Sequence, residues 1–475
     1  MPPFSILLFG FFLALIPIPA DCQDDSTTQN GSSGYRGAFI TGPASNPLSF
    51  LNGPAYRTTG ENTPYDFPDF APLTALDARL PAWLGFGLEE RLRWEGMQDA
   101  GFKAGDDDYY LLNRWRLLIQ IQPASWLRIV GQTQDSRAFF QTPPLLPPNT
   151  NRMDLKLAYA EFGAPERDWI SIRVGRQLIN YNNTIIANSE WRNQARSYDA
   201  VVTNLHLDRF RLGIFAASVV VPMADGISHH QEGNNIYGLY GSIDELAVPT
   251  STLEPFVLWR VNSIARQSEQ AYGVRWKGQA WNSFDYSIEG IREAGSVDSN
   301  SIQAWGTTGG MGYRFDGLKW KPRVFSQYDY ASGDKHQDGV HGTFDTMYPT
   351  AHDRFGISDQ FGWQNIKAIR GGITVEPHNR WTLTAQYLDF WLASATDSLY
   401  NTSGVAIVRD AMGTAGSHIG QEADAYTWYE INRHLNLGFG FAHIFPGEFL
   451  LKMEKGPNFS YPYFALNFKD AGKTH

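Results

Sequence analysis

The chain has 475 residues and a formal net charge of −10, with 19% charged residues, 14% aromatics and 45 glycines. That charge argues against a nucleic-acid partner, and past the N-terminus no run approaches the ~20 apolar residues that a membrane helix needs. Abundant aromatics and glycines at modest hydropathy suit a transmembrane β-barrel, whose apolar residues are diluted by alternation; a large soluble β protein would fit the same totals.

The N-terminus, "MPPFSILLFGFFLALIPIPADCQDD", has an apolar core from Phe4 to Ile18, then Pro-Ala and acidic residues. It predicts a secretory signal peptide over 1–20, cut after Ala20. Cys22 is the only cysteine, so neither an intrachain disulfide nor a thiolate metal cluster can form. Residues 21–83, rich in Ser, Thr, Asn, Gly and Pro, predict an irregular periplasmic leader.

From Leu84 the pattern changes to period two, the signature of strands with one apolar and one polar face. In "LLNRWRLLIQIQPASWLRIVGQTQ", Trp115, Leu117, Ile119 and Ile121 share one face and Arg114 and Arg116 the other. Eighteen such segments follow, at 84–95, 110–122, 125–135, 153–162, 168–176, 198–206, 209–219, 235–245, 253–263, 271–280, 284–293, 302–313, 321–330, 366–376, 380–391, 423–432, 435–444 and 460–468. The number is even, as in bacterial outer-membrane barrels. The last, "YPYFALNF", is aromatic on one face and is followed by a tail, 469–475.

The connections alternate in length. Short turns at 123–125, 163–168, 206–208, 281–283, 377–379 and 433–434 are interleaved with long links at 96–109, 136–152, 177–197, 220–234, 331–365, 392–422 and 445–459. A soluble sandwich has no reason to gather its long loops at one end, whereas an outer-membrane barrel turns short ends to the periplasm and long loops outward. The predicted fold is therefore an all-β, antiparallel transmembrane barrel over 84–468. Link 331–365 is long enough to serve as a lid or constriction.

Lipid around such a barrel dictates which face is wet. An arginine facing hydrocarbon at mid-depth costs about 2–4 kcal/mol, so the polar faces line the lumen. This places Arg91, Arg93, Arg114, Arg116, Arg128, Arg173, Arg275, Lys277 and Arg370 inside. Basic linings favour anions. Glu89, Glu95, Asp154 and Glu161 share these strands, and for any single arginine an ion pair bracing the wall is the simpler role.

Two stretches resemble the alginate-export outer-membrane porin family: "YDYASGDKHQDGVHGTFDTMYPTAHDRFGISDQFGWQNI" (Tyr328 to Ile366) and "RVGRQLINYNNTIIANSEWRNQARSYDAV" (Arg173 to Val201). The resemblance implies a monomeric eighteen-stranded barrel in the bacterial outer membrane. Its electropositive pore would pass an anionic polysaccharide outward, without an energy source of its own and with periplasmic export partners. The family motifs add Arg176, Arg192 and Arg196 to the anion-binding set, with Asp199 pairing one of them. By alternation Arg176 is out of phase with Arg173, unless Gly175 introduces a bulge.

Competing readings are a passive uptake porin for small anionic nutrients, which uses the same wall physics, and a rim enzyme built on Ser228 and His229. Sequence adjacency supplies no orienting carboxylate for such a pair, so no catalytic role is assigned. Asp334, His336, Asp338 and Asp345 could offer oxygen ligands to Ca²⁺ but match no calcium-loop spacing. His229, His230, His336, His341 and His352 lack a matched zinc set. No cofactor or metal is expected.

Overall fold

The computed structural model describes residues 79–470, apart from 143–148, 164–167, 182–183, 247–249, 282, 336–338, 351 and 433. The expected signal peptide, nearly all of the leader, residues 471–475 of the tail, and His336 and Asp338 lie outside the described residues.

Eighteen long strands form the wall: β1 (Leu84–Met97), β2 (Asp108–Ala124), β3 (Leu127–Phe139), β4 (Asn151–Phe162), β5 (Ile170–Gln177), β6 (Tyr198–Leu207), β7 (Phe210–Val221), β8 (His229–Asp244), β9 (Ser251–Asn262), β10 (Gln267–Ala280), β11 (Phe284–Val297), β12 (Asn300–Arg314), β13 (Arg323–Ala331), β14 (Ile366–His378), β15 (Trp381–Leu392), β16 (His418–Glu430), β17 (Leu435–Pro446) and β18 (Phe459–Asp470). Each pairs antiparallel with its chain neighbour, and β18 returns to β1 with Leu92 opposite Leu466, which closes the barrel. Closure leaves no sheet edge unpaired, as a bilayer requires of a strand-built span.

All eighteen predicted segments are strands. Several run further toward the long-loop end than the alternation indicated: β8 starts at His229, β10 at Gln267 and β16 at His418. Beyond the bilayer both faces of a strand are wet, so the apolar–polar alternation that reveals it is lost. The loop asymmetry also has exceptions. On the long-loop end, β9–β10 and β11–β12 close with tight turns at 263–266 and 298–299.

The barrel is apolar outside and charged inside. Ile288, Val324 and Ile369 are 54%, 50% and 51% exposed, while Arg275 and Arg370 are each 1% exposed. Exposed tryptophans mark the short-turn end (Trp126, Trp169, Trp281, Trp320) and a second band lies toward the long loops (Trp94, Trp259, Trp305), the girdles expected at the two interfaces. Ile288→Arg on the outward face of β11 should therefore lower stability in phospholipid vesicles by about 2–4 kcal/mol, read by denaturant titration. An unchanged midpoint would place that face in water.

The apolar core lies inside the barrel, toward the long-loop end, where links pack against inward-facing residues of the wall. Ile185, Ile186, Phe344, Phe361, Leu399 and Phe449 are all fully buried. Phe102, from the link after β1, stacks on Phe361 at 6.1 Å. Tyr181 stacks on Phe215 and Tyr240 of the inner wall at 5.5 and 5.0 Å. Gly213 allows this, since a Cβ there would lie 2.2 Å from the Tyr181 hydroxyl. The links also carry a five-residue helix, Glu448–Lys452, and a small hairpin, Ser398–Tyr400 with Ala406–Arg409.

Candidate pore constriction

The link between β5 and β6 crosses the lumen. At one end Thr184 donates from its hydroxyl to Glu289 on β11 at 2.9 Å. Further on, residues 189–197 lie against β1–β4. The wall arginines hold this segment by its backbone. Arg91 donates to the carbonyls of Glu190 (2.8 Å) and Arg192 (2.9 Å), and Arg114 donates to the same two at 3.1 Å. Arg93 donates to the carbonyl of Trp191 and lies over its ring, 4.0 Å from the centroid, while pairing with Glu95. Arg114 also pairs with Glu89, and Arg116 bridges Glu89 (3.3 Å) and Glu190 (2.8 Å).

Lys156 completes the grip, donating to the carbonyls of Ala195 and Arg196. It reaches them because it is the extra residue of a β-bulge: Gln132 and Thr133 pair with Leu157 and Leu155 and skip it. A bulge re-aims one side chain without losing the flanking pairs, and alternation alone gives no signal for it.

The link between β13 and β14 folds inward from the other side. Asp345 meets Arg260, Asp353 meets Arg370 at 3.0 Å, and Arg354 meets Asp329 at 2.7 Å. The carboxylate of Glu422 accepts from the backbone N–H (3.1 Å) and hydroxyl (2.8 Å) of Ser358. The two links touch where Trp191 stacks on His352, with centroids 3.8 Å apart, and His352 contacts Asp359 at 2.9 Å. Backbone bonds between Ala187 and Tyr348 (2.7 Å) and Tyr348 and Ile185 (3.0 Å) join them as well.

The predicted basic set therefore falls into groups. Arg91, Arg93, Arg114 and Arg116 hold the β5–β6 link, and Arg370 holds the β13–β14 link. Arg128 and Arg173 share the carboxylate of Glu161, and Arg275 and Lys277 share that of Glu254, so both sets brace the wall. Arg176 stands in the outward phase, where β4 and β5 part. It bonds Asp199 at 2.8 and 3.0 Å and the carbonyls of Leu155 and Ser228. Arg196 donates to the carbonyls of Ala187 and Tyr348, both at 2.8 Å. Ser228 bonds Asn151 and Gln194, as a structural hydroxyl would. No group of three metal-binding side chains occurs among the described residues.

Arg192 makes fewer hydrogen bonds than its neighbour Arg196. Its side chain donates to the Ser403 hydroxyl at 3.4 Å and, like Arg196, forms no ion pair with a carboxylate among the described residues. Burial and the neighbouring Arg196 pull its pKa down to about 10, with Asp359 opposing. It remains a cation at neutral pH, with its charge unspent on a carboxylate. For Glu190, burial favours the neutral acid, but Arg116 and Arg114 outweigh it and bring the pKa down to about 2. Its pairing is thus fully present above pH ~4.5 and is lost only as pH falls through about 2.

The pH dependence of ion preference follows. Between pH 5 and 9 neither group changes charge, so neither contributes a step in reversal potential there. As pH rises through about 10, Arg192 loses its proton and any anion preference should fall. The Arg192→Gln protein should lack the part of that step due to Arg192; an identical titration in both proteins would remove Arg192 from the permeation path.

An all-β barrel closed in this way, apolar outside and charged within, is an outer-membrane channel. The sequence model for alginate export matches residues 82–458, and the chain belongs to that family, which places it in the bacterial outer membrane. Solved structures with the same fold include Pseudomonas aeruginosa OccD3 (OpdP), with TM-score 0.57 and 12% identity, over 83% of this chain and 93% of that one. Acinetobacter baumannii OccAB2 aligns with TM-score 0.57 and 11% identity, over 82% and 98%. Pseudomonas aeruginosa OccK11 (OpdR) aligns with TM-score 0.53 and 12% identity, over 82% and 96%. No curated protein matches the chain significantly in sequence.

The sequence reading missed Glu190, Lys156, Trp191, His352, Arg260 and Arg354. Glu190 and Trp191 immediately precede Arg192, which the family motif did pick out. Lys156 is re-aimed by a bulge, and the roles of Arg260, His352 and Arg354 arise from contacts between segments far apart in sequence.

Proposed function

We propose that this protein is an anion-preferring passive channel that lets a carboxylate-bearing polysaccharide leave the cell. The observation that carries this reading is Arg192, a cation without a carboxylate ion pair on a segment folded across the lumen. Membership of the alginate-export family supports a polyanionic cargo. Ion-paired arginines elsewhere keep the wall rigid and add little net field, so preference for anions rests on few groups. Passive movement suits a barrel in a membrane without a nucleotide supply.

A second reading, uptake of small anionic nutrients, is favoured by two inward links joined through Trp191 and His352, which narrow the route. Both are tested by the same measurement. The purified chain in planar bilayers is expected to give reversal potentials favouring chloride over potassium. Uronate oligomers added to one side should block the current at every length tried and appear on the other side. Passage of monomers with exclusion of longer oligomers would support the uptake reading instead, and cation preference would overturn both.

A further inference from the structure

Residues 353–359 of the β13–β14 link rest on an acidic seat. Glu422 and Asp424, two apart on the inner face of β16, are 0% and 4% exposed. Their carboxyl groups bond each other. The neighbouring guanidiniums are committed elsewhere: Arg370 donates to the carbonyl (2.8 Å) and carboxylate (3.0 Å) of Asp353 and to Gln386 (2.9 Å), and Arg354 to Asp329 (2.7 Å). Tyr426 donates to Asp353 at 3.2 Å, and β17 sets apolar Ile444 opposite Glu422. Gln386 donates to Asp424 at 2.7 Å.

The link closes directly over the pair. The Ile357 N–H donates to Asp424 at 3.1 Å, and Ser358 donates to Glu422 from its N–H (3.1 Å) and hydroxyl (2.8 Å). Gly356 permits this approach, since it has φ +85° and a Cβ there would lie 2.0 Å from Glu422 Oε1. Phe355 and Phe361 pack against Phe390 alongside, with ring centroids 6.4 and 5.1 Å apart, which keeps water out.

Two carboxyl groups sharing a site without water cannot both be ionised. Oδ1 of Asp424 is buried and receives no N–H or O–H from another residue, so the bond between the two acids needs a proton of its own. No set of three metal-binding side chains forms among the described residues to put a divalent cation there instead. Once the link lifts, water reaches both acids, they ionise near their ordinary values of about 4, and the proton passes to solvent. Seating the link therefore takes up one proton. By linkage the seated state gains as pH falls. It loses up to about tenfold per pH unit as pH rises above the ordinary carboxylate range.

We propose that the proton shared by Glu422 and Asp424 is the latch of a lid, holding residues 353–359 down inside the lumen in acid and freeing them in alkali to widen the passage. The latch acts on whichever solute passes, so it does not depend on the cargo proposed above.

The test is hydrogen exchange of the backbone over residues 354–361 in the full chain, expressed as protection relative to the intrinsic rate at each pH. Protection should fall between pH 5 and pH 8, by at most about tenfold per unit. Glu422→Gln puts an amide donor in place of the shared proton, and its protection should stay at the acid level throughout. In planar bilayers the conductance of the unmodified protein should rise over the same range, while that of Glu422→Gln stays low. Constant protection in the unmodified protein would overturn the proposal, as would an equal fall in Glu422→Gln. Protection lost on adding EDTA at pH 5 would also overturn it, by making a divalent cation the bridge. If the variant misfolds, the pH and EDTA series on the unmodified protein still decide.

Discussion

Replacing Arg91 and Arg114 together by leucine is expected to release residues 189–197 from the wall and raise single-channel conductance. The two guanidiniums donate to the carbonyls of Glu190 and Arg192, and Arg114 also pairs with Glu89. Removing one partner from a buried charge pair costs about 3–5 kcal/mol, because the other is left uncompensated. Here Glu89 would keep Arg116 and Lys469 but lose two of its cations, and two loop carbonyls would lose their wall donors. A shift of ~1.4 kcal/mol is tenfold in an equilibrium, so the seated state should lose a factor of at least about one hundred relative to released states. Bilayer recordings should show larger and noisier openings. Arg128→Leu is the control: its partner is Glu161, away from the link, and its conductance should match the unmodified protein. Matching conductance from the Arg91/Arg114 double variant would mean that the held segment does not limit flow.

The wall and the links differ in how far local sequence predicts them. Membrane-spanning strands obey a local rule, since one face must be greasy at every second residue, and so Arg114 and Arg116 could be placed in the lumen from "NRWRLLIQ" alone. The rule stops at the bilayer edge. There "HHQEGN" and "QSEQ" at the starts of β8 and β10 read as loop although both are strand. Nothing local says that the carbonyls of Glu190 and Arg192 will be the acceptors for arginines 76 to 101 positions earlier. A backbone carbonyl is present at every residue, so this pairing leaves no trace in residue type. The wall arginines are buried inside the barrel, and most of their charge is used in holding links or neighbouring carboxylates. What residue pattern could not reveal is the distinction between an arginine that braces and one that faces solute.

That distinction gives the second large effect. Arg192→Glu should abolish anion preference or reverse it, whereas Arg128→Glu, which breaks a bracing pair, should mainly lower stability. Changing Arg192 to glutamate alters the local charge by two units. Each unit is worth about 1 kcal/mol at ~4 Å in bulk water and about 4 kcal/mol at an effective dielectric of 20. Even the lower figure, doubled, corresponds to roughly a thirtyfold change in relative permeability at ~1.4 kcal/mol per tenfold. The glutamate would also stand near Asp359, which now opposes the loss of the Arg192 proton; two carboxylates there would repel an entering uronate. Arg192→Gln should fall midway. The readout is the reversal potential in a tenfold salt gradient, and a value unmoved by either substitution would put the selectivity of this channel somewhere other than the segment that carries Arg192. The same substitution should leave the barrel's denaturation midpoint nearly unchanged, because among the described residues Arg192 loses one long hydrogen bond to the Ser403 hydroxyl and a distant attraction to Asp359. A channel altered in ion preference but not in stability is the pattern that separates a solute-facing cation from a structural one.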